Sequence, residues 1–150
     1  MEIKKVEKAP THIQNIVISG IVAGIAICIG AIIVVAPVFA NEIDIVMKNL
    51  NLPDLGSLAA IYFFGLSFVF GIIIMLFYVI LKPYFRSKIT TAVTASLIIW
   101  GLAYFLNNVT LVIYGFLPVK LAAFVIGWGF IDLVLAGIIG SILYEWRQKS

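Results

Sequence analysis

The sequence predicts an all-α membrane protein, a four-transmembrane-helix bundle with both termini in the cytoplasm and a short amphipathic helix in the first outer connection. Two observations carry the fold class. Of the 150 residues 63% are apolar, and the chain has only 10 basic and 7 acidic residues. A hydrocarbon core about 30 Å thick takes roughly 20 apolar residues per helix, so this composition suffices for four spans.

Four long apolar stretches divide the chain, and every connection between them is too short to form a second domain. We place the spans at about 16–36, 57–81, 89–108 and 121–144. Lys82-Pro83 closes the second span, and Asn107-Asn108 follows the third. Residues 109–119 are again apolar, so either the third span extends to about Ile113 or this piece lies along the membrane interface.

The distribution of Lys and Arg predicts the orientation. Three lie before the first span, three in the second connection and two after the fourth span, whereas Lys48 and Lys120 are the two in the other connections. Because basic residues near span ends are retained in the cytoplasm, both termini are expected inside. The protein is then a multi-pass protein of the inner or plasma membrane.

The first outer connection, residues 41–56, has helical periodicity. Asn41 suits an N-cap, and Pro53 lies just past the expected end. The apolar positions are Ile43, Val46, Met47 and Leu50. These features predict a short amphipathic helix. Its apolar face either packs on the bundle or among lipid headgroups, or it docks a partner.

Asp132 is the one charged residue inside a predicted span. It lies 12 residues from Lys120 and 13 from Glu145, or about 18 Å from each by helical rise. Steps of three and four residues place it on a stripe of small residues, Gly129, Ala136 and Gly140, which predicts that this face packs against protein.

Four residues at similar depth are candidate hydrogen-bond partners for the Asp132 carboxyl: Ser67, Ser96, Thr94 and Trp100. Because an ionisable residue within the bilayer is costly, it is a candidate functional site by default. Three interpretations stay open, namely a structural polar clamp, a contact between subunits, and proton or cation handling.

Small residues four positions apart give the other spans a packing face. Gly20 and Gly24 form such a pair in the first span, and Ser67 and Gly71 form one in the second. Such pairs allow helix backbones to approach closely, either within the bundle or in a homodimer.

One Cys and one His exclude an intramolecular disulfide, a Cys/His metal cage and a bis-His haem site, so we expect no cofactor. His12 lies at the membrane edge and Asp132 near the centre, which leaves no catalytic relay. Cys28 is a small apolar filler in the first span. We therefore expect neither an enzyme nor a nucleic-acid partner.

Three segments carry a resemblance to other proteins: FGIIIMLFYVILKPYF, TAVTASLIIWGLAYFL and WGFIDLVLAGIIGSILYEW. Their order within residues 57–146 resembles a loosely defined group of small uncharacterised prokaryotic four-span membrane proteins, and this resemblance implies no particular activity.

Span two carries seven aromatic residues, too many for the interior of a small bundle, so some must face lipid or a partner. The expected partners are membrane lipids and either other integral membrane subunits or further copies of the chain. The sequence favours a non-catalytic accessory or scaffolding subunit; the alternative is a proton- or cation-coupled channel or carrier that uses Asp132.

Overall fold

The computed structural model describes residues 9–51 and 56–149, and every regular element within these ranges is helical. Four helices are long and apolar enough to cross a membrane: Ile13–Val35, Leu58–Tyr84, Lys88–Ile113 and Val119–Lys149. This confirms the prediction of an all-helical chain with four candidate membrane spans. The orientation of the bundle stays a prediction.

Six α-helices make up the described chain, and two of the long helices contain a π-helical segment. The α-helices are α1 (Ala9–Gly30), α2 (Ala36–Asn49), α3 (Ser57–Leu81), α4 (Lys88–Ile99), α5 (Leu106–Ile113) and α6 (Val119–Lys149). The first π segment, Ala31–Val35, joins α1 to α2, and the second, Trp100–Phe105, joins α4 to α5.

The helix ends follow local sequence chemistry. α3 ends before Lys82–Tyr84, a single 3₁₀ turn that contains Pro83, because proline cannot continue the hydrogen-bonding pattern of a helix. Ser87 caps α4, and its side chain accepts a hydrogen bond from the Thr90 backbone N–H at 3.5 Å. The third long helix reaches Ile113, where Gly115 at φ 74° allows the chain to turn. Of the two possibilities for residues 109–113, the structure therefore has the extended helix.

The connection between the first two long helices does contain a helix, but α2 begins at Ala36 rather than after Asn41. Asn41 lies inside the helix, because α1 continues into α2 through the first π segment. The amphipathic character of α2 stays a prediction, and Pro53 lies outside the described residues.

The four long helices form a bundle in which α1 packs against α3 and α6, and α4 packs against the same two helices. One core cluster consists of Ala23, Ile27, Ile74, Ile99, Leu133 and Ala136. A second consists of Met75, Tyr78, Ala92, Ala95 and Tyr144. In both clusters aliphatic or aromatic side chains alternate with alanines, which lets the helices approach closely.

Glycine sets the contact between α1 and α3. A Cβ atom on Gly71 would lie 2.5 Å from the backbone nitrogen of Gly24, and one on Gly20 would lie 2.5 Å from Cα of Ile72. Both distances are far shorter than ordinary carbon contacts, so these backbones touch only because no side chain intervenes.

One end of the bundle, where the second connection meets the C-terminal turns of α6, is held by charged and polar side chains. We call it the basic end. Lys82 Nζ lies 2.6 Å from Glu145 Oε1, and Lys88 Nζ lies 3.6 Å from Glu145 Oε2. Tyr78 donates a hydrogen bond to the same carboxylate at 2.9 Å. Glu145 therefore connects α6 to α3, to the start of α4 and to the turn between them.

Candidate functional site

Asp132 lies in the interior of the bundle, with 6% of its surface exposed. It faces the end of α1, because a Cβ atom on Gly30 would lie 2.8 Å from the carboxyl carbon of Asp132. Only glycine leaves room for the carboxyl at this point. Gly30 is also the last residue before the first π segment, so the acid lies beside a change in helix geometry.

The second π segment approaches Asp132 from another side. The ring of Tyr104 packs on Gly129, where a Cβ atom would lie 2.7 Å from Tyr104 Cε1. Gly129 is about one helical turn from Asp132, and Tyr104 is close enough to the carboxyl to interact with it electrostatically. Two π segments thus flank one intramembrane acid. Such segments are rare and are found frequently at functional sites.

Two hydrogen bonds hold the second π segment in place. Trp100 Nε1 donates to the carbonyl of Ile126 at 2.8 Å, which links this segment to α6. Asn108 Nδ2 donates to the carbonyl of Tyr104 at 2.8 Å and lies one turn further along the helix. A π turn shifts the regular hydrogen-bonding pattern of the backbone. Trp100 stabilises this turn by a bond to another helix, and Asn108 stabilises it by a bond within the same helix.

The polar groups around Asp132 are incompletely paired. Trp128 lies one turn before Asp132 on the same face of α6, and its buried Nε1 has no hydrogen-bond partner. In the part of the chain that the structure describes, the Asp132 carboxyl also accepts no hydrogen bond from a protein donor. A buried donor without a partner marks a position where a water molecule could bind.

The four partners expected from the sequence are engaged elsewhere or lie against other residues. Ser67 donates to the Phe63 carbonyl at 2.9 Å, and Thr94 donates to the Thr90 carbonyl at 2.9 Å.

Trp100 bonds to Ile126, as described above. Ser96 Oγ is buried without a hydrogen-bond partner, and it lies where a Cβ atom on Gly137 would be. The structure thus brings none of these residues into a hydrogen bond with Asp132; Gly30 and Tyr104 lie beside it instead.

The small residues singled out from the sequence lie at helix contacts. Besides the contacts of Gly20, Gly24 and Gly71, Gly140 lies against Met75 Sδ, and Ala136 is completely buried. These small residues of α6 therefore lie at contacts with neighbouring helices.

A second candidate site lies at the opposite end of α3. All nine residues of Leu58–Leu66 are exposed, so about two and a half turns of helix have no buried position within the described chain. We call this segment the exposed arm. Tyr62 is 66% exposed, and Phe63 and Phe64 are each 38% exposed.

A cleft of ≈ 320 Å³ separates the base of the exposed arm from the third long helix and α6. Phe63 and Ser67 line it on one side, and Tyr104, Asn107 and Asn108 line it on the other. Asn108 is buried and bonded to Tyr104, whereas Asn107 is exposed and lines the cleft.

Within the described residues, no group of three or more His, Cys, Asp or Glu side chains could hold a metal ion. Comparisons of the chain with protein-family models, with curated proteins and with solved structures give no match. The length and composition of its four long helices indicate a multi-pass membrane protein.

Proposed function

We propose that the chain is a non-catalytic accessory or scaffolding subunit of a membrane complex, and that another membrane-spanning chain packs on the exposed arm of α3. The observation that carries this proposal is the exposure of Leu58–Leu66 around the whole circumference of the helix. The buried positions of α3 in the described chain begin at Ser67, and α3 packs on α1, α4 and α6.

The chemistry of the arm suits a protein partner. Aromatic side chains are enriched at protein interfaces, and small residues between them let a second helix approach closely. The arm supplies both, with Tyr62, Phe63 and Phe64 beside Ala60 and Gly65. Lipid chains can cover the aromatic rings, but they offer no hydrogen bond to the Asn107 amide at the cleft. A polar side chain of a partner helix would supply one.

The proposed setting is the inner or plasma membrane, with both termini in the cytoplasm. Along α3, Leu66 then lies about 24 Å from Lys82 and Leu58 about 36 Å from it, which places the exposed arm near the outer boundary of the bilayer. Tyr and Trp are favoured at such boundaries, which agrees with the position of Tyr62.

Photocrosslinking in native membranes tests this proposal. A photoreactive amino acid replaces Tyr62 in the arm, and in a control variant it replaces Leu135, which is 53% exposed on α6. We expect a discrete heavier adduct from position 62 that does not contain a second, differently tagged copy of the chain. An adduct with that second copy, no adduct, or the same adduct from position 135 would each contradict an accessory role through the arm.

A second candidate function is a proton- or cation-coupled channel or carrier, and the Asp132 site favours it. Its support is the buried acid between two π segments, together with the unpaired indole N–H of Trp128 one turn away. A structural clamp would be expected to pair its polar groups fully, because unpaired buried groups cost free energy.

Reconstitution into vesicles tests this second function. If it is correct, the wild-type chain carries a proton or cation flux, and Asp132→Asn abolishes the flux while the variant remains folded. Ser141→Ala is the matched control, because Ser141 is buried on the same helix and bonds only within it. Absence of flux in the wild type, or unchanged flux in Asp132→Asn, excludes the carrier function.

A further inference from the structure

The basic end of the bundle has a groove that neither proposed function uses. It lies between the start of α4 and the C-terminal turns of α6 and has a volume of ≈ 300 Å³. Its wall is apolar and is formed by Ile89, Ile138 and Ile142.

Two lysines, Lys88 and Lys149, lie at the rim of this groove, and Glu145 is the acidic residue among those that line it. The Glu145 side chain is only 13% exposed, because Lys82 and Tyr78 already cover one of its oxygens. The Lys88 side chain is 57% exposed and contacts Glu145 only at 3.6 Å. Lys88 therefore keeps hydrogen-bond donors for a ligand, and the rim stays positive.

We propose that this groove binds a phospholipid with a net negative headgroup. Its phosphate lies between Lys88 and Lys149, and one of its acyl chains lies along the isoleucine wall. Basic groups beside apolar helix surfaces recognise anionic lipids in this way, since the cations attract the headgroup and the wall receives the chain. The positive N-terminal end of α4, which starts at Lys88, adds to the attraction.

The combination of charge and apolar surface distinguishes this ligand from others. A free phosphate ion would use the lysines but leave the isoleucine wall uncovered. A zwitterionic lipid would cover the wall but carries a positive group that the two lysines repel. Ser141 lines the groove as well, yet its hydroxyl already donates to the Ile138 carbonyl at 2.8 Å, so specificity rests on the charges.

Native mass spectrometry of the purified full chain in detergent tests the proposal, with phosphatidylglycerol and phosphatidylcholine as the lipid probes. We expect the wild type to retain phosphatidylglycerol in preference to phosphatidylcholine. A lysine near the membrane surface contributes about 1 kcal/mol, so Lys88→Gln and Lys149→Gln should each weaken phosphatidylglycerol binding about fivefold. Lys149→Gln is the cleaner variant, because it leaves the Lys88–Glu145 contact in place.

Controls on the chain separate this groove from general attraction to lipid. Lys120→Gln removes a charge at the other end of the bundle and should leave phosphatidylglycerol retention unchanged. Ile142→Ser should lower retention, whereas Ile139→Ser, at a neighbouring exposed position outside the groove, should not. Equal retention of both lipids, an equal loss in Lys120→Gln, or full displacement of the lipid by inorganic phosphate would overturn the proposal.

Discussion

Replacement of Gly71 by alanine should destabilise the bundle, because a Cβ atom at this position meets backbone atoms of α1. It would lie 2.5 Å from the Gly24 nitrogen and 3.0 Å from Gly24 Cα, and it would also meet the Gly20 carbonyl oxygen. Ordinary contacts of carbon are about 3.5–4.0 Å, so α1 and α3 must separate by about 1 Å.

The cost follows from the kind of atom that is displaced. Overpacking of a close contact typically costs about 1–3 kcal/mol, and backbone atoms on a neighbouring helix cannot move aside as a flexible side chain can. The higher helix propensity of alanine stabilises the folded state by about 0.5–1 kcal/mol, which offsets part of this cost. We therefore expect Gly71→Ala to lower the free energy of unfolding by about 2 kcal/mol.

Gly65→Ala is the matched control, since Gly65 lies on the same helix with no atom within 4 Å of the added Cβ. Gly65→Ala gains helix propensity without any steric clash. The free energies of unfolding of the two variants should therefore differ by about 3 kcal/mol, a factor of about 100 in the folded-to-unfolded ratio. Unfolding of the purified chain, followed by circular dichroism in detergent with increasing denaturing surfactant, measures the difference. Equal stability of the two variants would refute the close backbone contact between α1 and α3.

Three further outcomes are expected. Trp100→Phe keeps an aromatic ring but removes the hydrogen bond to α6, which should cost about 1 kcal/mol in the same unfolding measurement; no loss would refute that link. Glu145→Gln removes the charge that pairs with Lys82, whose side chain is 39% exposed, so a loss of about 1 kcal/mol or less is expected and should shrink with added salt. In intact cells, an impermeant thiol reagent should label a cysteine introduced at Asn41 but not one at Ser87, and the reverse pattern would invert the orientation.

The sequence predicts those properties of the chain that depend on composition along a single helix. The four spans could be predicted because lipid crossing requires length and hydropathy, which are local. The third helix was the harder case, because Asn107 and Asn108 interrupt its apolar pattern. In the structure Asn108 bonds back to the Tyr104 carbonyl, so the helix continues to Ile113.

The surroundings of Asp132 could not be predicted from the sequence, because they depend on more than one helix. Depth along a helix follows from residue count, but the neighbour at that depth depends on how each helix is rotated about its axis. Serine, threonine and tryptophan residues at matching depth were therefore plausible partners, yet Ser67 and Thr94 bond to their own helices. Gly30, just before the first π segment, and Tyr104, within the second, lie beside the acid, and the sequence pattern did not reveal either segment.

By itself, the sequence determined that four apolar helices form, because each must satisfy its own backbone hydrogen bonds and present an apolar surface to lipid. Tertiary structure alone decided which helix faces meet and that the N-terminal turns of α3 are exposed in the described chain. The physical reason is that lipid and protein are almost equally apolar surroundings for such helices. Hydropathy therefore does not distinguish a lipid-facing side from a buried one, and close steric fit at glycines and a few polar contacts select the arrangement.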